Sequence, residues 1–147
     1  MRAKLPLRIS SMILFLFALG HTVGFQTFRP SSKEGVAVMD AMRSVPFAFG
    51  SATVNWMDLY LGFGFALSVN GFFSAILAWR LSISTIAEVA LARTIIWLLC
   101  ATQVASIFLS IRYFGALQAW FSLVSSAALV WSAIRLQAQS VSSTSVR

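Results

Sequence analysis

Four long runs of apolar residues follow one another along the chain, separated by shorter polar intervals. We place these runs at about 9–28, 56–79, 88–110 and 116–134. Each has about 20 residues, and a helix of that length crosses the roughly 30 Å hydrocarbon core of a bilayer. The pattern therefore predicts an all-α fold, a polytopic membrane four-helix bundle that forms a single membrane domain over residues 1–147.

The first run has a second interpretation. Basic residues precede it, and Ala18-Leu19-Gly20 resembles a cleavage site, so a signal peptide also fits this stretch. The run continues to Phe28, however, which gives it full spanning length. Gly20 and Gly24 also form a small-xxx-small pair that suits close contact between helices. We interpret the run as an uncleaved membrane helix and keep the cleaved signal peptide as the alternative.

The interval between the first two runs predicts a short amphipathic helix at about 32–45, in the first external loop. Ser31 and Glu34 fit a capping box at its start, and Pro46 ends the segment. On a helical wheel its apolar and polar residues separate into two faces, Val38, Met39, Met42 and Val45 on one and Lys33, Asp40, Arg43 and Ser44 on the other. Such a helix is typical of a segment that lies on a bilayer surface or over a bundle.

The remaining intervals are short. Thr85 and Glu88 predict a second capping box before the third run. A tight turn through Arg112 and Gly115 leads into the fourth run. Beyond that run the chain is rich in Ser, Gln and Thr, so we expect a flexible tail over 136–147.

Composition favours a membrane protein over a soluble one. Hydrophobic residues make up 59% of the chain and charged residues 10%, against about 45–50% and about 25% in soluble domains. The net charge of +7 would suit nucleic acid, but the basic residues do not line up along one face and most of them sit at the ends of the apolar runs, so no nucleic acid partner is expected. Their distribution predicts a multi-pass membrane protein with both termini cytoplasmic.

Several kinds of chemistry are excluded by the residues present. Cys100 is the sole cysteine, which rules out an intrachain disulfide and a CxxC redox pair. His21 is the sole histidine, so a metal-binding His pair cannot form. The sequence also contains no phosphate loop and no Gly-x-Ser-x-Gly elbow. We therefore expect no metal and no cofactor.

Polar residues within the runs collect toward the predicted outer face of the membrane. His21 lies in the outer third of the first run, and Asn55 and Asp58 lie at the outer start of the second. Gln103 and Gln118 occupy the outer parts of the third and fourth. Because polar groups within hydrocarbon normally face each other or a wet cavity, we predict an outward-opening polar pocket roofed by the amphipathic helix.

Within this pocket we predict His21 and Asp58 as a catalytic acid–base pair, provided that they lie within hydrogen-bond reach. Simpler roles remain open for both residues. Asp58 could cap the second helix together with Asn55, and His21 could make a packing bond between helices. The predicted ligand-binding residues are Arg43, Asn55, Trp56, Tyr60, Gln103 and Gln118.

Three motifs resemble those of a family of small bacterial four-helix membrane proteins that has no assigned activity. They are Gly20-His21-Thr22-x-Gly24, Met42-Arg43-Ser44 and Trp56-x-Asp58-x-Tyr60-x-Gly62-Phe63-Gly64, which together cover about the first half of the chain. The resemblance implies that His21, Arg43, Asp58 and Tyr60 belong to the signature of that family. It also implies a location in the bacterial cytoplasmic (inner) membrane. A looser architectural likeness is to DoxX-type four-helix membrane proteins.

Competing functions follow from this pattern. The first is a membrane enzyme of isomerase, hydrolase or cyclase type that acts on a lipophilic small molecule. The second is a non-catalytic module that binds a lipid or quinone, or that assembles with a second copy or another membrane protein. The third, a small proton-coupled exporter, fits less well because such carriers place an acid deep in the first helix and this sequence has none there. The lipid bilayer is a partner in every case.

Overall fold

The computed structural model describes residues 4–83 and 89–144, and this part of the chain is almost entirely helical. Its elements, in chain order, are α1 (Lys4–Thr27), α2 (Lys33–Ser44), β1 (Pro46–Phe49), β2 (Ala52–Asn55), α3 (Trp56–Ile83), α4 (Val89–Leu109) and α5 (Ala116–Thr144). Four of these helices are long and apolar enough to cross a membrane. The predicted fold class, an all-α four-helix membrane bundle, is therefore confirmed, whereas the predicted capping box at Thr85 and Glu88 lies outside the described residues.

Two threonine hydroxyls in the second half of α1 form hydrogen bonds within the helix. The hydroxyl of Thr22 donates to the carbonyl of Ala18 at 2.7 Å, and that of Thr27 donates to Val23 at 2.8 Å. These bonds to the preceding turn let hydroxyls lie in an apolar helix without a cost for unpaired groups. The helix ends at Thr27, shortly before Pro30.

The amphipathic helix α2 forms as predicted, with a shift of one residue at its start. Ser32, rather than Ser31, is the N-cap, and its side chain accepts a hydrogen bond from the backbone N–H of Gly35 at 3.0 Å. The extended backbone of Ser32 allows this bond, as is usual at a helix start. Gly35 is required for the close fit, since a Cβ there would lie 2.6 Å from the Cβ of Pro30.

A short β-hairpin joins α2 to α3, and the sequence analysis did not anticipate it. Its strands pair antiparallel with Pro46 opposite Asn55 and Phe49 opposite Ala52. Gly50 and Ser51 form the two-residue loop, and Gly50 adopts a φ of 62° that suits glycine. The signal that predicts this hairpin is a Gly-Ser pair between two short β-prone stretches.

The turn after α4 is a π-helical turn over Ser110–Phe114 rather than the simple tight turn predicted. Gly115 ends it with a φ of 94°, and its N–H donates to the carbonyl of Ser110 at 2.7 Å. α5 then runs to Thr144, into the segment predicted as a tail, because no glycine or proline interrupts it.

The chain divides into two compact units, residues 1–17 with 71–147 and residues 18–70. In the first unit, parts of all four long helices pack around one apolar core. The second unit contains the end of α1, all of α2, the hairpin and the first half of α3. The buried residues of the first core are Leu7, Ala78, Ile96, Leu99, Cys100, Leu129 and Ala133.

Large apolar side chains remain exposed along the spanning helices. Phe63 is 73% exposed and Val69 67% on α3, Phe108 is 70% exposed on α4, and Leu117 is 75% exposed on α5. In water such surfaces would drive association, whereas lipid tails solvate them at no cost. Together with the four long apolar helices, this identifies a multi-pass membrane protein.

Candidate functional site: an apolar cavity beside the amphipathic helix

Asp58 takes part in a reciprocal cap at the start of α3. Its Oδ2 accepts a hydrogen bond from the backbone N–H of Asn55 at 2.9 Å, and the Oδ1 of Asn55 accepts from the N–H of Asp58 at 2.8 Å. This is the capping-box arrangement, in which two otherwise unpaired helix-end donors are satisfied at once. Asp58 is exposed. Its simpler role, as a cap, is therefore confirmed.

His21 makes a contact between helices instead. Its Nδ1 lies 3.2 Å from the hydroxyl of Ser68 on α3. Ser68 is buried, at 3% exposure, and also donates to the carbonyl of Gly64 at 3.0 Å. A histidine and a serine in hydrogen-bond contact between two spanning helices act as polar packing groups within hydrocarbon.

The predicted direct pair between His21 and Asp58 does not form. Ser68, the partner of His21, lies ten positions beyond Asp58 on α3, a rise of about 15 Å along a helix. Because α1 and α3 run antiparallel here, Asp58 lies opposite a position ten residues after His21, beyond the end of α1 at Thr27. The two residues therefore lie at different depths. If either one has a catalytic role, it acts without direct contact with the other.

An aromatic cluster lies between these two depths, centred on Phe25 of α1. The Phe25 ring is 5.1 Å from that of Phe65 and 6.3 Å from that of Tyr60, both at near-perpendicular angles. It also lies 5.2 Å from the imidazole of His21. Edge-to-face contacts of this kind fix the orientation of each ring.

Toward the α2 side of this cluster, the second unit forms an open cavity of about 330 Å³. Its wall is formed by the apolar face of α2, the link between α1 and α2, and the first turns of α3. Every lining side chain but one is apolar, the exception being Tyr60. The lining residues are Phe28, Pro30, Gly35, Val38, Met39, Met42, Met57 and Tyr60.

This cavity is apolar where the sequence predicted a polar pocket, and the orientation of α2 explains the difference. Met39 and Met42 turn inward and line the cavity. Arg43, one of the predicted ligand-binding residues, is exposed and pairs with Asp40 at 3.3 Å along the helix surface. Its charge therefore faces away from the cavity. An exposed pair of this kind contributes little stability.

Of the other predicted ligand-binding residues, Tyr60 alone lines the cavity. The Tyr60 hydroxyl donates a long hydrogen bond, 3.5 Å, to the carbonyl of Phe25. Trp56 stacks on Phe47 of the hairpin with ring centroids 4.5 Å apart. Gln103 and Gln118 belong to the first unit, where Gln103 is buried and Gln118 is partly buried.

Several lining residues were missed as functional candidates. Met39 and Met42 belong to the predicted apolar face of α2, for which packing was the only expected role. Met57 lies within one of the motifs but was not among the predicted ligand-binding residues, because its neighbours Trp56 and Asp58 are chemically more distinctive. Methionines on the apolar face of an amphipathic helix are the signal that was available, since they suit adaptable apolar sites.

In comparisons with known proteins, no protein family, curated protein or solved structure matches the chain. The resemblance to small bacterial four-helix membrane proteins therefore stays a prediction.

Proposed function

We propose that this protein binds a lipophilic small molecule, such as a fatty acid or a lipid acyl chain, in the cavity beside α2. The observation that carries the proposal is the lining, which is apolar apart from the single phenol of Tyr60. Ligand cavities in proteins are about 300–1,000 Å³ and mainly apolar, with few polar groups. The cavity falls within that range and has that character.

The methionines suit such a ligand. Met39, Met42 and Met57 line the cavity from two different helices, α2 and α3. Their unbranched, polarisable side chains adapt to ligands of different shape. Val38 lines the same cavity and is 61% exposed, so a ligand can reach it from outside without crossing the bundle.

We further propose a bacterial cytoplasmic membrane location with both termini in the cytoplasm. Lys4 and Arg8 lie at the start of α1, Arg80 lies in the last turn of α3, and Arg135 lies on α5. All four lie near the ends of candidate spans, with Arg135 at the end of the span Ala116–Leu136. In an antiparallel chain of spans these ends lie on the side of the termini, which the positive-inside rule makes cytoplasmic.

Binding of a dansyl-labelled fatty acid to the purified protein in nanodiscs tests the proposal. We expect saturable binding by the natural chain and at least about tenfold weaker binding by Met42→Trp, because an indole fills the cavity. Val36→Trp is the matched control, since Val36 lies on the same helix, is 45% exposed and is not among the lining residues. Equal binding by both variants would contradict the proposal.

A further inference from the structure

One face of the β-hairpin is entirely apolar. Side chains alternate between the two faces along each strand, and residues that pair across the strands share a face. Two such pairs make up this face, Phe47 with Val54 and Phe49 with Ala52. The rings of Phe47 and Phe49 contact each other edge to face, with centroids 6.5 Å apart, as expected for side chains on one face.

The same face extends to the first residue of α3. The indole of Trp56 stacks on the ring of Phe47 with an angle of 29° between the ring planes. Trp56 is 52% exposed and Phe49 is 59% exposed, so the rest of the protein covers only part of these rings. We refer to this surface as the aromatic face of the hairpin, and its residues are Phe47, Phe49, Ala52, Val54 and Trp56.

The aromatic face is continuous with a surface that suits lipid. Trp56 is the first residue of the candidate membrane span Trp56–Ile83, so it lies where that span meets the membrane boundary. Phe63, seven positions farther along α3, lies on the same side of the helix as Trp56 and is also exposed. The aromatic face is therefore the next apolar surface that lipid meets beyond the end of the span.

The composition of the segment suits the membrane boundary. No Lys, Arg, Asp, Glu or His occurs between Arg43 and Asp58, so no charge has to leave water when the hairpin contacts lipid. Indole rings are enriched at the boundary between headgroups and hydrocarbon. The two-stranded hairpin has open edges whose backbone groups need water, which keeps it at this boundary and out of the hydrocarbon core.

A lipid surface explains the aromatic face better than a protein partner does. A two-stranded hairpin is only marginally stable by itself in water, so its apolar face needs a cover. A stable protein–protein interface takes about 20–30 residues from each partner, and the aromatic face offers far fewer. Headgroups and acyl chains can cover a small apolar face without matching its shape.

We propose that the hairpin anchors the segment between α2 and α3 at the bilayer surface, with its aromatic face in the boundary between lipid headgroups and acyl chains. Because α2 ends at Ser44 and the first strand begins at Pro46, the anchor also holds the end of α2 near this depth. The proposal does not depend on the cavity beside α2, since no residue of the aromatic face lines it.

Nitroxide labels on two neighbouring residues of the hairpin test the proposal. Ala52→Cys places a label on the aromatic face and leaves every ring intact, whereas Thr53→Cys, the matched control, places it on the opposite face. Both positions are exposed, and the native Cys100 is replaced by alanine in both proteins. Power saturation in nanodiscs compares relaxation of the label by dissolved oxygen, which concentrates in hydrocarbon, with relaxation by the water-soluble complex NiEDDA.

We expect the ratio of oxygen to NiEDDA accessibility to be several-fold higher at position 52 than at position 53. The further change Phe49→Asp should lower the ratio at position 52 toward that at 53, because a charge on this face opposes contact with lipid. Ratios that are equal and low at both positions would overturn the proposal, because the aromatic face would then lie in water. Protection of position 52 from both reagents would also overturn it, in favour of a second copy or another protein on this face.

Discussion

The ring of Phe25 lies directly against the backbone of Gly64, so that a Cβ at Gly64 would stand 2.7 Å from the Cε2 atom of Phe25. This contact brings α1 and α3 close together in the second unit. Tyr60, Phe65 and His21 hold the Phe25 ring on its other sides. The ring therefore has little room to move away from a new methyl group.

Gly64→Ala should accordingly destabilise the protein by about 1–3 kcal/mol, the usual cost of overpacking a close contact. Gly62→Ala is the matched control on the same helix, because a Cβ there would meet nothing within 4 Å. In that variant the higher helix propensity of alanine should leave stability unchanged or raise it slightly. Thermal unfolding in detergent measures both effects.

A second substitution tests whether the Phe25 ring causes the destabilisation expected for Gly64→Ala. In a Phe25→Ala background the space at Gly64 is open, so the further change Gly64→Ala should cost little or nothing. A penalty that persists in this background would show that something other than the Phe25 ring opposes the methyl group.

The cap at the start of α3 predicts a stability effect of its own. Asn55→Ala removes the acceptor for the Asp58 N–H, and loss of such a cap typically costs about 1 kcal/mol. Asn55→Asp keeps an acceptor oxygen at the same place and should retain most of the stability. Chemical or thermal unfolding of both variants checks this, and an equal loss in the two would argue against a capping role.

The NMR signals of the His21 imidazole should respond to a substitution at Ser68 and not to one at Asp58. The imidazole nitrogen contacts the Ser68 hydroxyl at 3.2 Å, whereas Asp58 lies about 15 Å from Ser68 along α3, toward the N-terminus of that helix. Ser68→Ala should therefore change the imidazole ¹⁵N chemical shifts of His21, while Asp58→Asn should leave them unchanged. A shift of equal size in Asp58→Asn would mean that the two residues are neighbours after all.

The hairpin loop depends on the left-handed conformation of Gly50. With φ at 62°, a Cβ would meet the following carbonyl, so Gly50→Ala should cost about 1–2 kcal/mol. Among residues with a side chain, Asn adopts a positive φ more readily than most, so Gly50→Asn should cost less than Gly50→Ala. The melting temperatures of the two variants provide the comparison, and no difference between them would contradict a strained loop.

The sequence was sufficient for the spanning helices and for α2 because both follow from local periodicity. A run of apolar residues and an amphipathic pattern can both be recognised without knowing any contact between distant residues. The two faces assigned to α2 are those that the structure shows, with Met39 and Met42 inward and Arg43 exposed.

The site itself was harder to predict because it depends on the register between helices. Position along each run suggested a common depth for His21 and Asp58. The packing of Phe25 on Gly64 instead sets the register of α1 against α3 and brings His21 to Ser68. Nothing local in the sequence states which residues of two helices will face each other.

Photo-crosslinking tests the proposed binding cavity most directly. A fatty acid with a diazirine near its chain end is irradiated with the protein in nanodiscs, and the labelled peptides are mapped by mass spectrometry. We predict adducts on the lining residues Met39, Met42 and Met57 that disappear with excess unlabelled fatty acid and in Met42→Trp. Adducts spread over the exposed faces of all four spanning helices, and unaffected by competitor, would contradict a ligand cavity beside α2.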